Sequence, residues 1–478
     1  MNRLYNERDK SSILSYAKRL EGSTLRVVLE QLKQEQLYGV NAEDIKYKGK
    51  GGFGQHLEKE FFMYEPNSNA EPDFPEAGLE LKSSPLKVLK KGTFSSKERL
   101  VLNIINYCDF VEESSFYDST FFRKNAALLL VFYLHKSGVS VRDLVIHLVD
   151  IWELVGEDLV MIERDWLTIQ DKVKDGLAHE LSEGDTFYLG ACTKGANSKT
   201  LREQPFSDIK AKQRAFSFKQ AYVNHIIASI SKSKPIKYGK IIPELNVESP
   251  SIEEVVLSKF NEYVTNKTTL NKIIKELNLA IKPNAKSFYA LVTKGILGFS
   301  KDEAIEEFVK AGITIRTVRL LNNDMPAEAV SFPAFEFEEI VNQEWEDSVF
   351  YNQISNKFLF VFLRSNGDKD YYIETVKFWN MPVQDIDEVE RMFDELKRLI
   401  NEGEILKSID ENGKRKTNFP GTGFNGITHI RPHGRNTKDV YPLPIPLKLT
   451  GAREYTKQCF WLNHEYVRDA IYLSKKTN

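Results

Sequence analysis

The sequence predicts an α/β chain of two tandem domains, each a mixed sheet flanked by helices. Three observations predict it. Short apolar or alternating runs mark strands at 79–83, 127–134, 186–191, 313–317 and 358–363. Longer runs with apolar residues three and four apart mark helices at 13–34, 159–178, 213–230, 251–265 and 386–402. Motifs of the first half also recur in the second half in the same order, which points to one fold used twice.

The most telling segment of the first half is Asp73-Phe-Pro-Glu-Ala-Gly-Leu-Glu80-Leu-Lys82. Alternate side chains of a strand share a face, so Glu80 and Lys82 point one way while Leu79 and Leu81 point into a core. A turn through Pro75 and Gly78 returns Asp73 beside Glu80. Two carboxylates and an ammonium at one strand end suit a magnesium-dependent phosphodiesterase. The carboxylates hold Mg²⁺ through oxygen, and the lysine orients or helps deprotonate the attacking water.

Upstream, Lys48-Gly-Lys-Gly-Gly-Phe-Gly54 holds four glycines in six residues, a turn that permits close backbone approach. The run 55–64 then reads as a helix with Leu57, Phe61 and Phe62 on its apolar face. Glu58, in its first turn, aims at the same site as Asp73. No Gly-Lys-Ser/Thr follows the glycines, so a nucleotide site of the P-loop kind is not indicated.

These motifs resemble the MutH family of GATC-specific endonucleases, part of the PD-(D/E)xK nuclease group. The resemblance runs through Lys50-Gly…Gly54-x-x-x-Glu58 and Asp73-Phe…Ala77-Gly-Leu-Glu80-Leu-Lys82. Lys124, shortly before the apolar run 128–133, matches a family lysine near the active site. Tyr188-Leu…Lys194-Gly-Ala-Asn197 resembles the base-reading loop, and Arg214-Ala-Phe216…Lys219 the segment near the end of the fold. The pieces span about 20–228, one MutH-like domain. The resemblance implies the restriction-endonuclease-like fold, Mg²⁺ held by Asp73, Glu80 and Glu58, and catalysis by these with Lys82 and Lys124. It implies contacts to double-stranded DNA from Lys194, Lys199, Arg214 and Lys219.

The first half departs from the family in two places. Cys192-Thr193 precedes Lys194 where the family commonly has Arg-Pro, and Ser217 stands where MutH has a tyrosine near the adenine. GATC recognition is therefore implied by the family alone, although Lys194 is able to donate to guanine acceptors.

In the second half, Ala311-Gly-Ile-Thr-Ile-Arg316-Thr echoes Ala77-Gly-Leu-Glu-Leu-Lys82-Ser. Phe360-Val-Phe-Leu363 echoes Leu130-Val-Phe-Tyr133, His429-Ile-Arg431-Pro-His433-Gly-Arg435-Asn436 echoes the loop at Lys194, and Lys457-Gln echoes Lys212-Gln. In that alignment Asp73 becomes Glu307, Glu80 becomes Thr314, Lys82 becomes Arg316, and Glu58 falls near Val292. One carboxylate cannot assemble the site, so the second domain is expected to be inactive. The arrangement looks like the Sau-type GATC restriction endonucleases, which pair a MutH-like catalytic domain with a degenerate one. That resemblance implies double-strand cleavage leaving 5′-phosphates and an effector domain using Arg431, Arg435 and Lys438. It also implies DNA looped between two sites and a cognate DNA methyltransferase. Expected boundaries are 1–232 for the catalytic domain, 233–250 for a proline-containing linker, and 251–478 for the effector domain.

Composition agrees with this organisation. The chain has 478 residues, 41% hydrophobic and 28% charged, ordinary values for two globular domains. A charged start without an apolar core, and no membrane-length apolar run, predict a cytoplasmic protein. Three cysteines form neither a metal cluster nor a disulfide framework. The net charge of −2 excludes indiscriminate coating of nucleic acid. Charge is segregated instead. Lys82–Arg99 and Lys194–Lys219 are basic, whereas Glu336, Glu338, Glu339, Glu344 and Glu346 form an acidic stretch facing away from DNA. A mismatch-repair or damage nickase and a non-catalytic DNA clamp are the alternatives, the latter disfavoured by the intact Asp73, Glu80 and Lys82.

Overall fold

Leu128, Leu129, Leu130, Val131 and Phe132 are buried on both strand faces, which makes Ala127–Leu134 the spine of the amino-terminal unit. The computed structural model describes residues 4–35, 52–65, 70–89, 92–194, 200–231, 236–367, 370–406, 408–409, 411, 415–436 and 438–474. The chain divides into two compact units. Met1–Leu181, Thr186–Pro235 and Leu245–Val247 form the first; Ser182–Asp185, Ile236–Glu244 and Glu248–Asn478 form the second. Within the second, Tyr238–Gly239 pairs with Ala304–Ile305, and the Glu307 carboxylate accepts the amides of Ile241 and Ile242.

In the first unit, Glu80–Val88 pairs in parallel with the spine and Ile146–Glu153 pairs with it antiparallel. Phe94–Ser96 adds to the outer edge of Glu80–Val88. A second, antiparallel sheet runs in the order Leu100–Ile104, Arg214–Phe218, Leu189–Thr193. Apolar side chains of Lys10–Ala17, Leu25–Gln34 and the helical stretch from Gly52 to Phe61 join Leu81, Leu129, Val131 and Val149 in one core. The 19-residue helix Gly156–Lys174 brings Trp166 against Phe110 and Phe116.

The second unit shares much of this order, with no counterpart of the edge strand Phe94–Ser96 in its three-stranded sheet among the described residues. Phe358–Ser365, buried from Phe358 to Leu363, pairs in parallel with Thr314–Leu320 and antiparallel with Tyr371–Trp379. A 19-residue helix, Val383–Asn401, follows, as Gly156–Lys174 does in the first unit. The antiparallel sheet is Val330–Phe335, Gln458–Leu462, Thr428–Pro432, and a helical segment from His464 to Tyr472 closes the unit. Registers correspond as well: Glu80 lies opposite Leu128 and Thr314 opposite Phe358, while Lys82 lies opposite Leu130 and Arg316 opposite Phe360.

Several elements differ from the sequence expectation. The run 13–34 is two helices, not one, because Gly22 turns at φ +80° and the Thr24 hydroxyl caps the second helix. Residues 214–218 are strand, and the helix begins only at Gln220. A short, fully buried apolar run does not reveal its period, and pairing on both sides settles it as strand. The strand expected at 186–191 starts instead at Leu189, because the buried Asp165 carboxylate accepts the amides of Phe187, Tyr188 and Leu189.

That carboxylate fixes the entry into the second sheet. Asp165→Ala strands three amides, two of them fully buried, and is expected to cost about 3–5 kcal/mol, the range for breaking a buried charged network. Urea unfolding followed by circular dichroism measures it; a midpoint unchanged from wild type would remove Asp165 from this role.

Candidate active site

Asp73 and Glu80 are joined by a tight turn. Phe74 and Leu79 exchange backbone hydrogen bonds across it at 2.9 and 3.2 Å, and Gly78 adopts φ +60°, a conformation glycine takes without strain. The turn closes two reciprocal bonds. The Asp73 amide donates to Glu80 Oε2 at 3.0 Å, and the Leu81 amide donates to Asp73 Oδ2 at 2.9 Å. Glu80 is only 3% exposed. Lys82 Nζ donates to Glu80 Oε1 at 2.7 Å, and Lys124 Nζ approaches the same oxygen at 3.7 Å. Lys124 comes from the helix Thr120–Asn125, which feeds directly into the buried spine.

Glu58 completes the group from an unexpected element. The helix expected at 55–64 is an α-turn, Gly52–His56, continued by a π-turn, Leu57–Phe61. On that π-turn, Glu60 is tied into the protein by His56 Nδ1 at 2.7 Å and by the Arg142 guanidinium. Burial, then Glu80, pushes the Glu58 carboxyl above the usual carboxylate range, with Lys82 and Lys124 pulling the other way. Burial is also the largest influence on Asp73, followed by Glu80, and its carboxyl is pushed up to about 7. Five residues expected at the site are thus brought to one place.

Tyr64 joins the site without any signal in the sequence pattern. Its hydroxyl is buried without a hydrogen-bond partner, and its ring packs edge-on against Phe74 at 5.6 Å. Burial, Asp73, Glu58 and Glu80 all raise its pKa, so it stays a neutral donor beside three carboxylates. Met63, at φ +58°, makes the sharp turn that precedes it.

Among the described residues, no three His, Cys, Asp or Glu side chains form a ready metal cage. Mg²⁺ is usually held through one or two carboxylates plus waters and phosphate oxygens, not a protein cage. Asp73 and Glu80 supply that donor set. Their mutual repulsion is the condition a divalent cation would relieve.

The expected DNA contacts divide. Lys194 is exposed at the end of Leu189–Thr193, its amide bonded to the Gln213 carbonyl at 2.8 Å. Lys199 lies outside the described residues. Arg214 and Lys219 correct the expectation of phosphate contact, since both are buried. Arg214 donates to the Ala191 carbonyl at 2.7 Å, across its strand pair. Lys219 donates to the Thr186 carbonyl and partly offsets the burial of Asp165. Ser217 is also fully buried, its hydroxyl unpartnered, so it presents nothing to a base. In the second unit, Arg431, Arg435 and Lys438 are all exposed, and the Arg431 guanidinium lies 3.7 Å over the Trp461 ring.

The family model for the DNA mismatch repair enzyme MutH matches residues 62–165, the segment bearing Asp73, Glu80, Lys82 and Lys124. Over 465 residues the chain is 35% identical to the type II restriction enzyme Sau3AI of Staphylococcus aureus, covering 90% of this chain and 94% of that one. Likeness sustained along the whole of both sequences, on a segment that keeps the acidic site intact, makes this chain a member of the MutH-like, Sau3AI-type restriction endonucleases and a type II site-specific deoxyribonuclease.

Proposed function

We propose that the enzyme cuts both strands of DNA at GATC by Mg²⁺-dependent hydrolysis, leaving 5′-phosphates, with the second unit binding another site as effector. The convergence of Asp73, Glu80 and Lys82 carries the catalytic part of this reading. Asp73 and Glu80, with Glu58 nearby, would hold Mg²⁺, which would supply Lewis-acid stabilisation and lower the pKa of the attacking water. The protein's own groups supply placement. Lys82, beside Glu80, orients the attacking water and takes part in its deprotonation. Lys124 adds positive charge where the phosphorane oxygens gather charge. Water oxygen forms the new bond to phosphorus, the bond to the 3′ oxygen breaks, and that oxygen leaves with a proton.

The effector part rests on the shared order of elements and registers in the two units. Thr314 and Arg316 stand where Glu80 and Lys82 stand, so the second unit lacks the acids for metal chemistry. It keeps an exposed basic loop with Arg431, Arg435 and Lys438. Sequence choice is assigned to Lys194 and its loop in the first unit, and GATC follows from the family resemblance. A cut at a frequent short sequence requires a methyltransferase that marks the host's own sites.

Asp73→Ala and Glu80→Ala are each expected to lower cleavage more than about 100-fold, beyond the 10–100-fold typical of outer-shell partners of a metal. Plasmid linearisation in Mg²⁺ measures this, with circular dichroism to check folding. Cleavage by folded Glu80→Ala at the wild-type rate would defeat the assignment.

Binding of two sites raises the effective concentration of the second on one molecule. A plasmid with two GATC sites should therefore be cut faster than one with a single site, and a short GATC duplex in trans should rescue the single-site rate. Joint replacement of Arg431 and Arg435 by alanine should bring the two-site to one-site ratio towards one. A wild-type ratio of one, unmoved by added duplex, would leave the second unit without an effector role.

A further inference from the structure

Among the described residues, Arg316 is a charge without a counterion. Its side chain is mostly withdrawn from water, its guanidinium lies 5.5 Å from the centre of the Phe332 ring and 6.0 Å from that of Phe358, and its Nε is buried with no hydrogen-bond partner. Burial is the sole influence on its ionisation and works against the charge. Other withdrawn cations of this unit are matched. Lys310 meets Glu306, Lys357 meets Glu253, Arg364 meets Asp324, and Lys377 donates to the carbonyls of Ile471, Tyr472 and Ser474. Aromatic faces offset part of the cost of a buried guanidinium but do not replace an anion. Such an arrangement leaves the guanidinium free to receive an anion.

The position of Arg316 says which anion. Arg316 holds the strand register that Lys82 holds in the catalytic unit, and Thr314 holds that of Glu80. In the catalytic unit a carboxylate at that register repels a phosphodiester and needs a cation between them. Here the carboxylate is an exposed threonine, two residues from Arg316 and on the same strand face. The lysine has become a planar, permanently charged fork that fits two oxygens of one phosphate. We propose that Arg316, assisted by the Thr314 hydroxyl, forms a metal-independent phosphodiester site, gripping the effector phosphate that corresponds to the one cut in the catalytic unit. This rests on reading the second unit as a DNA effector domain.

The test uses the full-length enzyme, a single-site plasmid and a trans duplex carrying either natural phosphates or one neutral methylphosphonate at the cleaved position. With wild-type enzyme, the methylphosphonate should raise the duplex concentration giving half-maximal stimulation by about 10-fold, as expected for losing a charge-assisted fork. Arg316→Met should raise it similarly with the natural duplex, and the methylphosphonate should add nothing further, because the two changes remove one contact. The salt slope of duplex binding, measured by anisotropy in EDTA, should fall by about one in the variant. Arg316→Met should also melt no lower than wild type without DNA, since the half-buried guanidinium it removes has no ion pair among the described residues. Losses that add, or a half-maximal concentration unchanged by Arg316→Met, would overturn the phosphate site while leaving the effector reading standing. Absence of any stimulation of wild type by natural duplex would overturn both. If Arg316→Met does not fold, a methylphosphonate without effect on wild type still refutes the proposal.

Discussion

Two carboxylates in this enzyme are held together by their own backbones. The Asp73 amide bonds the Glu80 carboxylate and the Leu81 amide bonds the Asp73 carboxylate, so neither acid moves without opening the turn at 74–79. The constraint has an electrostatic consequence. Like charges forced together in a buried place repel, and Asp73 is pushed up to about 7, by burial first and by Glu80 next. Lys82 and Lys124 gather on one Glu80 oxygen in response. The site is therefore built around a deficit of positive charge, and the surrounding elements keep it from relaxing. The spine at 127–134 is too deeply buried to shift, and the π-turn that presents Glu58 is anchored through Glu60 to His56 and Arg142.

The second unit carries the same strand frame with the opposite imbalance. Its register positions hold a threonine and an arginine, and Glu307, the residue aligned with Asp73, spends its carboxylate on the amides of Ile241 and Ile242. Where the first unit concentrates acid, the second leaves Arg316 unmatched among the described residues. In the proposed reading, one frame thus serves hydrolysis or binding according to the sign of the charge left over at the end of one strand.

How much of this was legible in the sequence follows from how local each feature is. Asp73, Glu80 and Lys82 lie within ten residues, and the turn residues Pro75 and Gly78 and the strand alternation sufficed to bring them together. Glu58 and Lys124 were reached through the family resemblance and the neighbouring elements. The π-turn was not legible, because a single extra residue in a helical turn leaves the apolar spacing almost unaltered. Tyr64 was invisible for a different reason: its partners are fixed by the left-handed Met63, and no pattern announces that conformation. The division of 13–34 turned on Gly22, a residue the helical period alone passes over.

Charge was the least reliable guide, and Arg214 and Lys219 explain why. A count of basic residues along 194–219 treats every side chain as exposed, yet these two point inward. Arg214 ties the Arg214–Phe218 strand to Ala191, next to the root of the loop bearing Lys194, and Lys219 sits with Asp165 under the entry to the same strand pair. In the proposed reading, both would serve DNA recognition only through rigidity. A loop that reads bases needs a fixed root and a free tip, and rigid support is what holds a recognition geometry to the tolerance that hydrogen bonding demands. The buried cations tie down the strands at the root, and Lys194 is exposed beside them; in the proposed reading it is the charge that meets DNA. In a basic run of this kind, burial rather than charge separates the residues that support the strand pair from those left on the surface.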